Sequence, residues 1–408
     1  MMGALSGLRV LDLSRVLAGP WCGQILADLG AEVIKVERPG MGDDTRGWGP
    51  PWMPAADGTP TGEAAYFQSA NRGKLSVAID LASKEGQDLV RRLAAESDIL
   101  IENYKTGSLV RYGLDYASLS AVNPRLIYCS VTGFGQTGPR AEEPGYDFVV
   151  QAMGGLMSIT GERDDLPGGG PQKVGVATAD LMTGLYATVA IQAAVIARTR
   201  TGRGQHCDLA LLDVQVAALS NQAMSFLSTG RSPPRYGNAH ASIVPYQVFQ
   251  AQDAEFVIAC GNDAQFRALC NAIGRPDLSD DRRFRHNRDR VVDREALVTV
   301  LAAHFLTASA AHWIRSIHAV GVPVGAINDV AGALNEPQVQ ARDMVVQVPH
   351  LLQPAFRMMG SPIKLSDTPV RYERPPPMLG QHTAETLHRV LALSKQEIAG
   401  LTSRGVIQ

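Results

Sequence analysis

The stretch from Leu8 to Arg38 reads LRVLDLSRVLAGPWCGQILADLGAEVIKVER, and its pattern decides the fold. Leu8 to Leu13 is a short β-rich run. Gly19-Pro20 then opens a helical pattern that lasts to Leu29, and Glu32 to Val36 reads as the next strand. Strand, helix and strand in such close succession form a βαβ unit, the building block of a parallel sheet. Leu75 to Leu81, Ile99 to Glu102 and Leu126 to Thr132 are further strand candidates, with helical patterns such as Lys84 to Glu96 between them. The expected fold class is α/β.

Asp180 to Thr199 reads as a long helix, too apolar all round to lie on a surface. After Ser228 the character changes. Gly230 to Pro234 is a breaker cluster, Val248 to Ala259 reads as strands, and two helical segments follow up to about His318. The expected division is a large domain over 1–225, a smaller α+β domain over 226–325, and a C-terminal return to the large domain over 326–408. A Pro-rich passage (Pro354 to Pro377) and a helix near Thr383 to Leu393 close the chain.

The 408 residues include 38 Lys+Arg against 40 Asp+Glu, a formal net charge of −2. A general nucleic-acid binder would be basic, so an anionic ligand must be held by a local cluster of cations. With 45% hydrophobic residues the chain can bury a large core, which excludes disorder as its main state. The start lacks a basic segment followed by an apolar one, so no signal peptide is expected. The longest helical apolar run, Leu185 to Ala197, is interrupted by Gln192 and falls short of the roughly 18 residues of a membrane span, so no membrane partner is expected. The five cysteines never form a C-x-x-C pair and the histidines show no H-E-x-x-H spacing, so neither a disulfide framework nor a metal site is expected. A reduced, cytoplasmic setting follows.

The βαβ opening invites a dinucleotide site, with Glu37 where a ribose-binding acid belongs. Its first turn, Ser14 to Pro20, has one glycine where the fingerprint needs three, which argues against close backbone approach to a pyrophosphate. Arg38, next to Glu37, could instead meet a phosphate, as could Arg72 and Lys74 after Asn71; an exposed turn is the plainer reading of the latter pair. The most informative segment is Val174 to Gly184, which sets the single carboxylate Asp180 among small and apolar neighbours. Such surroundings raise a carboxyl pKa unless a helix N-terminus stabilises the anion, and Asp180 could equally be the cap of the helix that follows. His240 lies in a polar turn that could be a lid or only a loop.

Taken together, Val10-Leu-Asp-Leu-Ser-Arg-Val, Ala18-Gly-Pro20, Asp28 to Pro39, Gly42 to Arg46, Glu102-Asn-Tyr104, Gly133 to Gly138, Pro144-Gly-Tyr-Asp147, the Asp180 segment and Leu379 to His382 resemble the class III coenzyme A transferases of the formyl-CoA transferase type. The likeness spans almost the whole chain in order. Gly47 to Pro51, Tyr128 to Gly133, Ala239 to Tyr246 and Arg374 to Pro377 resemble the succinyl-CoA:glutarate branch in particular. The resemblance implies a Rossmann-like large domain built from both chain ends, an inserted smaller domain, and two chains threaded like linked rings into a homodimer. It implies CoA thioesters and a dicarboxylate as substrates, with no tightly bound cofactor.

The resemblance also assigns residues. Asp180 matches the catalytic aspartate. Val16, Leu17, Ala18, Arg38, Ala70, Asn71, Arg72, Gly73, Lys74, Asn103, Tyr104, Arg111, Arg140 and Tyr146 match positions lining CoA. Arg46, Trp48, Gly237 and His240 are assigned to the acid, and Arg46 or His240 is expected to hold its far carboxylate, Arg46 being the better match for its planar fork; a surface pair of Arg46 with Asp43 or Asp44 is the plainer alternative. Backbone N–H groups from Gly237 to Ala239 are candidate oxyanion donors. The glycine run and the Gln that formyl-CoA transferases carry are missing, at Gly237 to Tyr246 and at Leu17, which argues against oxalate and formyl-CoA. An acyl-CoA racemase of the same superfamily is a rival, but it would need a His where this chain has Tyr146, a poor base at neutral pH. A non-catalytic CoA-binding protein is the other.

Overall fold

The computed structural model describes residues 3–408. Its centre is a six-stranded, fully parallel sheet: β1 Arg9–Asp12, β2 Glu32–Glu37, β3 Lys74–Ala78, β4 Ile99–Glu102, β5 Ile127–Thr132 and β6 His206–Ala210. The spatial order is β3-β2-β1-β4-β5-β6. This is the doubly wound order of nucleotide-binding folds, in which the sheet grows outward in both directions from β1. The expected α/β class therefore stands on an explicit register, with Val10 beside Val33 on one side and Ile99 on the other.

Both faces of the sheet are covered, and the strand alternation shows how. Val10, Val33, Ile99, Ile101, Ile127 and Cys129 point to one face, where they meet Ala18, Cys22 and Leu26 of α1 (Ala18–Asp28) and Ala187, Ile191 and Ala194 of a long later helix. Leu11, Ile34, Val36, Val77 and Leu100 point to the other, against Leu89, Val90 and Leu93 of α2 (Lys84–Ala95) and Leu387 near the C-terminus. A strand buried on both faces reads as a nearly continuous apolar run, which is why these strands were legible. β6 was not expected: His206-Cys-Asp-Leu-Ala carries two polar residues in five and looks like a turn.

The chain divides into two compact units; the break at 224/225 falls within one residue of the expected one, whereas the later break comes at 336/337 and a further piece at 157–173 was not expected. The larger comprises the chain up to Leu156, Val174–Met224 and Pro337–Gln408; the smaller comprises Met157–Lys173 and Ser225–Glu336. The short 157–173 piece has no periodic pattern of its own and so carried no boundary signal. The smaller unit holds an antiparallel sheet of Tyr246–Gln250, Glu255–Ala259 and Val324–Ala326, backed by helices such as Asp263–Ala272, Arg294–Phe305 and Ala310–His318. Its core is a ring cluster of Phe249, Phe256, Phe305 and Trp313, with the indole N–H of Trp313 donating to Phe305 O at 2.8 Å.

Candidate active site

The strand order reverses between β1 and β4, and ligands of open α/β sheets bind at the carboxyl ends of the strands at such a switch point. A cavity of about 230 Å³ lies there. Its walls are the turn Arg15 to Ala18 after β1, Asn103 to Thr106 after β4, Val131 to Gly133 at the end of β5, Leu211 after β6, Tyr146, and Asp180.

The turn after β1 is held in a costly shape. Val16 has φ of 72°, a left-handed conformation that a β-branched residue adopts only when its surroundings impose it. Asp43 accepts the Val16 N–H at 3.2 Å. Asn103 clamps the preceding residue from both sides, accepting Arg15 N–H at 2.8 Å and donating to Arg15 O at 2.6 Å. Asp43 is itself fixed by the Lys35 ammonium at 2.9 Å, and Lys35 also donates to Ser14 O at 2.8 Å. Burial pushes the Asp43 carboxyl up, but Lys35 and the Thr45 hydrogen bonds more than offset this and hold it near 2, so it is an anion at any working pH.

Asp180 stands in the first turn of α4 (Thr178–Thr201), preceded by Thr178 and Ala179. It is therefore not the helix cap, the structural alternative its sequence left open. Capping is done by Asp147, the first residue of α3 (Asp147–Met153), which accepts Ala179 N–H at 2.8 Å and Asp180 N–H at 3.4 Å on one oxygen. Its other oxygen accepts Gln151 Nε2 at 2.7 Å, and Gln151 in turn accepts Val174 N–H at 2.9 Å. Two effects act on the Asp180 carboxyl. Burial raises its pKa, the neighbouring Asp147 charge raises it further, and it titrates at about 7. The raised pKa expected from apolar surroundings is present, and the helix start does not cancel it.

A second cavity, of about 410 Å³, adjoins the first. Apolar and aromatic groups of Met41, Ile79, Leu81, Tyr104 and Tyr112 line it together with Arg38, and Arg15, Asp44 and Tyr104 line both cavities. Arg38 is exposed and forms no ion pair among the described residues. The second cavity, whose wall holds Lys35, Glu37, Asp43 and Asp80 besides Arg38 and the apolar groups, meets the first at Arg15, Asp44 and Tyr104, and the first has the Asp180 carboxylate in its wall.

The structure brings Val16, Leu17, Ala18, Asn103, Tyr104, Tyr146 and Asp180 to the first cavity and Arg38 to the second. Arg111 lies beside the second, its guanidinium over the Tyr112 ring at 4.6 Å. Arg140 is paired at 2.9 Å with Glu143, a wall of the first cavity. Trp48 packs edge-on against Tyr66 at 5.2 Å. Sequence reasoning gave no site role to Arg15 or Asp147 and named Asp43 only as a surface partner of Arg46, although all three stand in the quoted motifs.

Other expected residues are elsewhere. Ala70, Asn71, Arg72 and Lys74 are buried and line neither cavity, and Gly73 is needed because its φ is +79° and a Cβ would meet the Ala27 methyl at 2.9 Å. Arg72 is engaged internally: it forks onto Asp28 at 2.8 and 2.6 Å. Lys74 is spent on Asp12, Pro20 O and Asn71 at 2.8–2.9 Å. Arg46 is not free for a substrate carboxylate and does not pair with Asp43 or Asp44. Only 7% exposed, it forks onto Glu37 at 2.8 and 2.9 Å, reaches Glu63 at 3.0 Å and lies over the Phe67 ring at 3.7 Å. Gly237 and His240 belong to the smaller unit. Gly237 has φ of +57° and sits where a Cβ would strike Glu162, while His240 packs on Tyr246 and accepts Ser242 N–H at 3.1 Å. Ala239 N–H donates to Tyr236 O at 3.0 Å, which removes it as an oxyanion donor.

The family model described as CoA-transferase family III matches residues 5–383. The succinate–glutarate CoA-transferase of Agrobacterium fabrum is 50% identical over 94% of this chain and 94% of its own length. The succinyl-CoA:glutarate CoA-transferase of Mus musculus is 43% identical over 100% of this chain and 91% of its own. Among solved structures, a CaiB/BaiF family protein from Brucella suis superposes with a TM-score of 0.84 at 48% identity, covering 96% of this chain and 100% of its own.

Proposed function

The chain belongs to CoA-transferase family III and is an enzyme that transfers coenzyme A, and on that premise we propose that it moves CoA from succinyl-CoA to glutarate with Asp180 as the covalent carrier. The substrates are inferred from the relatives' names. The carrier is inferred from one observation above all: Asp180, a carboxylate in the wall of the first cavity, is desolvated and set beside a second negative charge.

That environment suits an acyl carrier. Burial and the Asp147 charge disfavour the Asp180 anion but leave an uncharged acyl derivative untouched, so both lean on the equilibrium toward acylation. An Asp180 oxygen attacks the thioester carbonyl of succinyl-CoA, the C–S bond breaks, and a succinyl–aspartyl anhydride and CoA thiolate result. The thiolate then attacks the aspartyl carbonyl and releases succinate, leaving an aspartyl-CoA thioester. A glutarate carboxylate displaces the thiolate to give the glutaryl–aspartyl anhydride. The thiolate takes the glutaryl group, and glutaryl-CoA leaves with Asp180 again a carboxylate. No water or net proton enters, and each hard exchange is divided into displacements at an activated carbonyl.

Trapping tests the carrier. Enzyme incubated with succinyl-CoA and then hydroxylamine is expected to carry a hydroxamate at Asp180, found by mass spectrometry of its peptides. Asp180→Ala is expected to abolish glutaryl-CoA formation. Substantial turnover by that variant would reject the covalent route, and turnover with acids other than glutarate at higher kcat/KM would reject the acceptor.

We infer in addition that two chains associate. In α4, Ala187, Ile191, Ala194 and Arg198 form the buried stripe, whereas Leu185, Val189 and Ile196 form an exposed apolar stripe on the opposite side. By length and composition alone this helix could cross a membrane, contrary to the expectation from its sequence, but its inner stripe is packed on the sheet. An apolar stripe of this length left to water is an association surface. A homodimer is the arrangement the family resemblance implies.

A further inference from the structure

We propose that Arg15 is a ligand of the CoA pyrophosphate, held in reserve by Asp44 and released to the substrate by exchange of partners. The proposal rests on the CoA-transferase reading and adds to it a residue and a binding step.

Three observations converge. Arg15, Asp44 and Tyr104 are the residues common to the 230 Å³ cavity that ends at Asp180 and the 410 Å³ cavity that contains Arg38. In a molecule whose adenosine fills the larger chamber and whose pantetheine arm runs through the smaller one to Asp180, the pyrophosphate is the part that lies at their junction. Arg15 therefore stands where those two charges must pass. Next, the cations of this region differ in availability. Lys35, Arg46, Arg72 and Lys74 are buried and committed to carboxylates, whereas the Arg15 side chain is 46% exposed and has the single ion-pair partner Asp44, itself 44% exposed, at 2.9 Å. An exposed pair of this kind is weak and easily exchanged. A phosphate accepts the guanidinium fork with stronger, charge-assisted bonds. Finally, the Arg15 backbone is clamped at N–H and O by Asn103, and its guanidinium lies 5.4 Å from the centre of the Tyr104 ring. The anchor is rigid, so only the side chain swings, and the ring offers it a face to slide along.

Before substrate arrives, the Asp44 carboxylate neutralises Arg15 at the junction of the two cavities. On binding, the guanidinium leaves Asp44 for the pyrophosphate. Asp44 thus competes with the substrate for Arg15, and its loss should tighten binding. A purely structural pair predicts the opposite sign.

Calorimetric titration of the full-length protein with CoA, dephospho-CoA and pantetheine decides the matter. Arg15→Gln is expected to weaken CoA and dephospho-CoA alike by about ten- to a hundredfold, the loss of one charge-assisted phosphate contact. The ratio should fall close to one for pantetheine, which has no phosphate. Asp44→Asn is expected to tighten CoA by about two- to fivefold, and that gain should vanish in the Arg15→Gln background. Weaker CoA binding by Asp44→Asn, or a gain that persists without Arg15, overturns the exchange. An Arg15→Gln effect confined to CoA and absent with dephospho-CoA assigns Arg15 to the 3′-phosphate and overturns the pyrophosphate site. If Arg15→Gln does not fold, Asp44→Asn and Arg15→Lys carry the same test, Lys being expected to retain part of the affinity. A wild type that binds no CoA sinks the functional reading itself, a result separate from any of these.

Discussion

Asp180 shows how one side chain can carry both a catalytic and a stability signature. Its carboxyl titrates at about 7 in the folded chain, raised by burial and by Asp147, against roughly 3.9 in an unfolded one. Attack on a thioester needs the anion, so transfer is expected to rise with pH through about 7 and level off above it. Glu102, buried at the end of β4, also titrates at about 7, so a midpoint alone does not identify the group. Asp147→Asn removes the charge that acts on Asp180, and the midpoint of the pH–rate profile is expected to move down; an unmoved midpoint would assign the profile to another group. The sign for stability follows from linkage. Because the folded value lies above the unfolded one, the contribution is fully present below about pH 4 and is lost as pH rises through about 7. Asp180→Asn escapes that loss. It is expected to be inactive yet more stable than wild type at pH 8, by about 2–4 kcal/mol, with the gap closing toward pH 4 in parallel denaturant titrations. Equal stabilities at pH 8 would mean that the carboxyl is not desolvated.

At the level of elements, the β1–α1 turn and the strand ends beside it rest on buried ion pairs, and here sequence reading went furthest astray. Arg46, Arg72 and Lys74 stand in motifs shared with CoA-binding enzymes, and a cation in such a motif looks the same whether it faces a phosphate or an internal carboxylate. The partners that decide the matter, Glu37, Asp28 and Asp12, are brought to them by the parallel register of β1, β2 and β3 and by α1. No local pattern encodes that register. Asp180, by contrast, was legible because its isolation among small residues is a local property. Asp147 was quoted but not understood, since its role depends on a contact across 32 residues. The corrected view of Arg46 has a measurable consequence. Arg46→Met leaves the buried Glu37 and the half-buried Glu63 without this counter-ion, and the expected loss is about 3–5 kcal/mol of folding stability. The variant's folded fraction is expected to keep the wild-type KM for glutarate. A raised KM at unchanged stability would restore Arg46 to the substrate.

On the scale of the whole molecule, the strands of the sheet centre could be read because burial on both faces writes apolar runs into them. Nothing in a single chain's pattern states what covers α4. Its sequence was read as apolar all round and hence internal; in the structure one stripe is internal and the other is not. The two readings are reconciled if the outer stripe is internal to an assembly. Leu185, Val189 and Ile196 repeat at helical spacing along that stripe, with Val189 and Ile196 62% and 61% exposed. Leaving several such side chains in water costs about 1.5–3 kcal/mol each relative to burial, a strong drive to association. Charges on the stripe should reverse it. Val189→Asp together with Ile196→Asp touches neither cavity and leaves the stripe of Ala187, Ile191 and Ala194 on the sheet unchanged. Sedimentation of the wild type is expected to give a dimer and of the double variant a monomer, with the circular dichroism of both alike. A wild type that sediments as a monomer, or a double variant that remains dimeric, would show that this face is not where the chains meet.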